Sequence, residues 1–308
     1  MNTPSVRYVV LRPDTLGPYV ERLRLLERGI EYPIADGADH FFIDHGPHYH
    51  PFFSSMGEAY FLLALRGEEL LGSVTGVSRQ VFRGTRSAQA LYICDLKVAP
   101  HARGTGLARR LILQGLTHLF RIPALRGTRF FYGAAMRGAR GDVMHTVRGW
   151  NPLRMGRPQS RLALYFVPPA RLAALDLTLA PKPVRGEGLV LGPAPDRRLD
   201  GAGWCTTSGS KDLQLRSTQK PWPLVHLAAP PSAWTHGWGH YLRTCGQELT
   251  LHHPESLACF AIDELLADHV AWLQAVGLPP DAACTVYSLD LTRLKGTPAW
   301  VHLPSSEI

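Results

Sequence analysis

Leu91-Tyr92-Ile93-Cys94-Asp95-Leu96-Lys97-Val98-Ala99-Pro100-His101-Ala102-Arg103-Gly104-Thr105-Gly106-Leu107-Ala108-Arg109-Arg110-Leu111 decides the fold. Leu91, Ile93 and Val98 with the aromatic Tyr92 read as a strand, and Pro100 stops its ladder. The chain then turns on Gly104 and Gly106 and enters a long apolar-periodic helix. A helix start leaves several backbone N–H groups without an intrahelical partner, with the positive end of the helix dipole behind them. Such a site suits a phosphate. Gly106 lets the backbone approach a diphosphate without Cβ interference, while Arg103, Arg109 and Arg110 add positive charge. A dinucleotide fold wants Gly-x-Gly-x-x-Gly directly after the strand, and a nucleotide P-loop wants Gly-Lys-Ser/Thr. Neither is present.

Arg103-Gly104-Thr105-Gly106-Leu107-Ala108 resembles the Arg/Gln-x-x-Gly-x-Gly/Ala signature of the GNAT acetyltransferase superfamily, and Leu96-Lys97-Val98-Ala99-Pro100 is similar to the strand end preceding it. The resemblance implies an α/β (α+β) GNAT fold, with a mixed, mostly antiparallel central sheet flanked by helices. It also implies acetyl-CoA as cofactor and an acyl-CoA N-acyltransferase activity. Leu96, Lys97 and Val98 would supply backbone contacts to the pantetheine arm. Arg103, Gly104, Thr105, Gly106, Leu107, Ala108 and Arg109 would hold the pyrophosphate.

Around the motif, the first 170 residues follow the order of that fold. Val6 to Leu11 reads as a strand, Gly17 to Arg28 as a helix, and residues 29 to 57 as irregular. A hairpin (Ala59 to Leu65, Leu70 to Val81) precedes the motif strand. After the motif helix come a strand (Arg129 to Ala135), a helix (Gly141 to Arg148) and a strand (Arg161 to Val167). Residues 171–203 form a Pro/Gly-rich linker in which Gly188 to Leu191 can pair as a strand. In 204–308 a strand–helix–strand–helix–strand order recurs: Leu224 to Ala228, Ala233 to Glu248, Leu257 to Ile262, Glu264 to Val276 and Cys284 to Leu291. These residues read as a second, smaller, degenerate GNAT-like domain that has lost the phosphate turn.

Composition narrows the partners. Hydrophobic content of 45% indicates a globular chain. No stretch approaches the ~18 apolar residues of a membrane span, so a cytoplasmic protein without membrane association is expected. The five cysteines are scattered without CxxC spacing, which argues against a zinc knuckle or a disulfide framework. The net charge of +8 is spread along the chain rather than clustered with aromatics, so no nucleic-acid partner is expected. Oligomeric state is left open between monomer and homodimer.

Chemistry requires a neutral amine and a protonated leaving thiol. Tyr92 stands where many GNAT members place a glutamate base, although a phenol with an ordinary pKa of about 10 is a weak base at neutral pH. Asp95 is better placed to orient an ammonium and assist proton loss. His145, four residues before Gly149-Trp150, falls where a tyrosine usually protonates the thiolate; Tyr132 and Tyr165 are substitutes. The run Asp39 to Phe53 holds four histidines and two carboxylates, and His48-x-His50 has chelating spacing. No metal is expected, and the run reads as an aromatic and acidic lid over the acceptor amine, which is a small molecule or peptide. Trp234, His236, Trp238 and His240, with His252 and His253, form a second aromatic–histidine patch, read as packing.

Overall fold

The computed structural model describes residues 5–34, 38–138, 141–142, 160–192, 203–229, 237–292 and 297–308. Its first half runs β1 (Arg7–Leu11), α1 (Val20–Arg28), β2 (Tyr32–Ile34), β3 (Asp39–Asp44), α2 (Pro51–Met56), β4 (Glu58–Arg66) and β5 (Glu69–Arg83). It continues through β6 (Arg86–Val98), α3 (Leu107–Arg121), β7 (Phe130–Gly138), β8 (Gly141–Asp142) and β9 (Ser160–Val167). The rest comprises α4 (Pro169–Ala173), β10 (Leu189–Val190), β11 (Trp204–Thr206), β12 (Asp212–Leu215) and β13 (Leu224–Leu227). Last come α5 (Trp238–His252), β14 (Leu257–Asp263), α6 (Ala267–Ala275), β15 (Ala282–Asp290) and β16 (Val301–His302).

One large sheet runs through both halves in the order β1-β4-β5-β6-β7-β15-β9-β14-β13-β11. Its centre is palindromic. The motif strand β6 pairs parallel with β7, and β13 pairs parallel with β14. The last strand of each half crosses over: β15 lies against β7, β9 lies against β14, and the two pair with each other. Matching β6 to β13, β7 to β14 and β9 to β15 maps one half onto the other. The order of elements along the chain does not announce this exchange, because an antiparallel ladder can form with a strand of either half.

Alternation explains most of these strands. β4 is buried along almost its whole length, as a strand covered on both faces should be. α3 buries Leu107, Leu111 and Ile112 against the sheet. Residues 29–57 depart from the irregular reading: β2 and β3 form a three-stranded sheet with β12, and α2 packs Phe52, Phe53 and Met56 inward. The expected helix from Gly141 starts differently, since Gly141 and Asp142 pair with β7; its remainder lies outside the described residues. The Gly188–Leu191 stretch does form a strand, held between β16 and β5. Leu172 and Leu175, at the start of the connector, are buried in the core of the second half.

Candidate active site

The parallel ladder between β6 and β7 holds only from Ala90 to Tyr92, after which the strands diverge. Beyond the fork, β6 keeps β5 on its other edge. Among the described residues no strand pairs there with the edge that met β7, and an extended arm bearing amides can pair along such an edge. At the fork the register with β5 slips between Ser73 and Thr75, and Asp95 takes φ +55°. The extra residue is a β-bulge that bends the strand and re-aims the main chain.

Past the bulge comes a glycine turn that leads into α3. Gly104 and Gly106 have φ of +78° and +76°, and a Cβ at either would meet nothing within 4 Å. Both glycines therefore serve backbone conformation and leave open space outside. Gly106 is the N-cap of α3, so the unpaired N–H groups of its first turn face outward among the exposed Arg103, Thr105 and Arg109. The Arg103 Nε donates to the Val98 carbonyl at 3.3 Å, and the Thr105 hydroxyl donates to the Ala102 carbonyl at 2.7 Å. These bonds fasten the turn to the strand end. Leu107 is buried and Ala108 half-buried at the root of the helix.

Beside the bulge lies a closed ionic network. Lys97 Nζ, fully buried, donates to Glu27 Oε1 at 2.6 Å, to the Tyr49 hydroxyl at 2.9 Å and to Asp95 Oδ1. The Tyr49 hydroxyl donates to Asp95 Oδ2 at 2.6 Å, and His45 Nδ1 lies 2.5 Å from Glu27 Oε1. Burial alone would raise Glu27's carboxyl, but the His45 hydrogen bond and the charge of Lys97 outweigh it and hold it at about 2. Burial likewise opposes the Lys97 charge, yet Asp95 foremost, then Tyr49, Tyr32 and Glu27, push it well above the ordinary lysine value. Glu27, His45 and Asp95 have ligand atoms within 4.8 Å of one another, and the lysine ammonium stands among them where a cation would.

Tyr92 is buried, stacked on its register partner Tyr132 at 4.7 Å between centroids, and donates to the Glu307 carbonyl. Burial pushes its phenol well above the ordinary value, so its proton stays on. Tyr132 donates to the Leu191 carbonyl at 2.6 Å, and Tyr165 packs on Phe260 in the second core. His145, Trp234 and His236 lie outside the described residues. In the run from Asp39 to Phe53, Tyr49, Phe52 and Phe53 surround His45, whereas His48 is exposed. Asp39 accepts from the Ser217 hydroxyl at 2.5 Å and from its neighbour's N–H. Asp44 accepts from Gly46 N–H. Trp238 is buried against Trp272 and His269, and His240 is exposed.

Four further groups escaped the sequence reading although their positions carried a signal. Glu27 follows Leu23 by one helical turn on the buried stripe of α1. Arg79 and Arg83 share the buried face of β5 with Val77 and Val81. Arg79 meets Glu307 in a two-pronged ion pair, Nη1 to Oε2 at 2.6 Å and Nη2 to Oε1 at 3.2 Å. Lys211 is buried under the same turn.

Residues 25–129 match the family model described as Acetyltransferase (GNAT) family. They form a GNAT acetyltransferase domain. Around this GNAT domain, the fold of nearly the whole chain is similar to N-myristoyltransferase of Saccharomyces cerevisiae with bound myristoyl-CoA. That likeness has a TM-score of 0.53 and 10% identity over 96% of this chain and 84% of that one. A tandem GNAT protein from the clavulanic acid biosynthesis pathway aligns with a TM-score of 0.49 and 11% identity, over 94% and 100% of the two chains. No curated protein sequence matches significantly. Among the described residues no helix is long and apolar enough to cross a membrane.

Proposed function

We propose that this acyl-CoA N-acyltransferase carries an acetyl group from acetyl-CoA to a primary amine of a small molecule or peptide, by direct attack within a ternary complex. The carrying observation is the fork at Tyr92 with the bulge at Asp95 and the open glycine turn beyond it. The pyrophosphate lies on the turn from Arg103 to Ala108 and the first N–H groups of α3. The pantetheine arm pairs with the free edge of Leu96, Lys97 and Val98. The thioester carbonyl accepts a main-chain N–H at the bulge, which polarises it and stabilises the developing oxyanion.

A short acyl group is supported by what fills the fork. Its last register pair, Tyr92 and Tyr132, is stacked and fully buried, leaving little depth for a long chain. The likeness in fold to a myristoyltransferase favours the alternative of a longer acyl thioester. Asp95 is proposed to shape the amine site from within the network, because Lys97 and Tyr49 already occupy its oxygens.

The test is thiol release from acetyl-, octanoyl- and myristoyl-CoA against a panel of amines, with the product identified by mass spectrometry. Turnover with acetyl-CoA fits the proposal. Turnover confined to long acyl-CoA selects the alternative. Binding without turnover leaves a coenzyme A-binding protein.

A further inference from the structure

Tyr49, between β3 and α2, has an uncommon backbone. Its φ is +63°, and across it the His50 N–H donates to the His48 carbonyl at 2.7 Å. A three-residue turn with positive φ at its centre is the rare, strained form of that turn, and a bulky side chain there adds to the strain. Such a conformation persists where the surroundings over-determine it. The ring is fully buried, 5.1 Å from the His45 ring, stacked on Phe53 at 5.8 Å and edge-on to Phe61 at 6.3 Å. The loop itself is seated against the turn before β12, where a Cβ on Gly46 would come within 2.7 Å of the Gly209 carbonyl.

The strain delivers one hydroxyl to β6. Its partner there, Asp95, is left-handed as well, with φ +55°. Among the described residues three that are not glycine have positive φ, and this 2.6 Å hydrogen bond joins two of them. The direction of the bond is fixed. The Lys97 ammonium is a donor only and donates to the same hydroxyl at 2.9 Å, so the phenol hydrogen goes to Asp95 Oδ2. Burial, and then the charge of Asp95, push the Tyr49 phenol well above its ordinary value, so that hydrogen stays in place. Lys97 holds the other oxygen, Oδ1, but it belongs to the same strand two residues on. Among the described residues, Tyr49 is the one direct anchor of this carboxylate outside β6.

We propose that Tyr49 is a positioning residue for the acyl transfer proposed above, on which this role rests. Its hydroxyl, acting through Asp95, holds the bulge of β6 in the conformation that presents a main-chain N–H to the thioester carbonyl. In this role the phenol transfers no proton and touches no reacting atom. Two strained backbones are held by each other, so loss of the bond frees Asp95 to leave the left-handed region and the strand to straighten.

The test is Y49F in the full-length chain, which removes one oxygen and keeps the ring. Asp95 and Lys97 retain each other, so the variant should fold. With acetyl-CoA and an amine that the wild type accepts, kcat should fall at least about tenfold, while KM for acetyl-CoA and coenzyme A affinity stay within about twofold. In a D95N background the same change should cost less than about twofold more, because the hydroxyl acts through the carboxylate. Hydrogen exchange of the main-chain amides at 94–98 should quicken at least about tenfold, with α3 unchanged. Unchanged kcat, a loss carried by KM, losses that multiply in the double variant, or unchanged exchange at 94–98 would each overturn the assignment. So would a Y49F chain that does not fold, since the hydroxyl would then support the fold at large. A wild type that transfers to no amine defeats the proposed function instead, and the exchange measurement still decides whether Tyr49 holds the bulge.

Discussion

Arg79 and Glu307, 228 residues apart, close a two-pronged ion pair whose side chains are 3% and 0% exposed. The pair fastens the turn at 305–307 under the motif strand, and Tyr92 bonds the carbonyl of the same glutamate. A buried pair contributes little net stability over apolar replacements, but losing one partner strands a charge. Glu307→Gln should therefore lower stability by about 3–5 kcal/mol in urea denaturation. The double variant R79M/E307L should recover a large part of that. If Glu307→Gln unfolds at the wild-type midpoint, the pair is not dry.

Coenzyme A should be lost on Gly106→Asp. Asp tolerates a positive φ better than most residues, and open space surrounds the Cβ position, so the fold should survive. The new carboxylate would then face the diphosphate at the helix N-terminus. Calorimetry should show binding weakened at least a hundredfold, or about 2.7 kcal/mol, with an unchanged circular dichroism spectrum. Unchanged affinity would remove the phosphate turn from the site.

What was legible in the chain was local. Pro100, Gly104 and Gly106 specify a strand stop and two positive-φ positions through their own backbone chemistry, so the strand end and the glycine turn could be read without neighbours. The ionic network could not. Lys97 meets Glu27 across 70 residues, and Asp95 meets Tyr49 across 46. A charged residue on a buried stripe announces that it has a partner but not which one. Asp95 illustrates the consequence: in the sequence it reads as a carboxylate free for an ammonium, whereas the fold gives it a lysine from its own strand. The exchange of β9 and β15 was illegible for a related reason, since both ladders offer the same antiparallel pairing.

One coenzyme A should bind per chain. Pro230-Pro231-Ser232-Ala233-Trp234-Thr235-His236 precedes α5 where Pro100 to Gly106 precedes α3, and it carries neither the arginine nor the two glycines. Gly237, with φ +86°, is a single glycine before Trp238, which is buried. Titration calorimetry should give a stoichiometry near one, abolished by Gly106→Asp. Two equivalent sites would show that the second half has kept its own phosphate turn.

Glu27 sets an acid limit on stability. Its carboxyl lies at about 2 in the folded chain against 4.5 ordinarily, so the folded state holds fewer protons between those values. The stabilisation is complete above about pH 4.5 and is lost as pH falls toward 2. Glu27→Gln should be less stable at neutral pH by roughly 3 kcal/mol, because Lys97 loses one of its two carboxylates. Its melting temperature should also fall less steeply than that of wild type between pH 4.5 and 2. Parallel curves would mean that Glu27 carries no linked proton.

Asp95 joins the network to the chemistry. It occupies the bulge with φ +55°, a conformation that Asn adopts as readily as Asp, so Asp95→Asn removes the charge without adding strain at this φ. An amide can accept from Lys97 or Tyr49 through its one oxygen, but its NH₂ would face the hydroxyl or ammonium that the second carboxylate oxygen now receives. The mismatch displaces Lys97 or Tyr49 and shifts the bulge whose main chain is proposed to hold the thioester carbonyl. Turnover should suffer while the phosphate turn, beyond Pro100, does not. We expect kcat/KM for the amine to fall at least about tenfold, a loss of ~1.4 kcal/mol, mainly in kcat, with coenzyme A affinity within about twofold of wild type. Steady-state kinetics paired with calorimetry would separate the two. Full activity in Asp95→Asn would show that the carboxylate serves stability alone, and the amine site would then have to be sought elsewhere along β6.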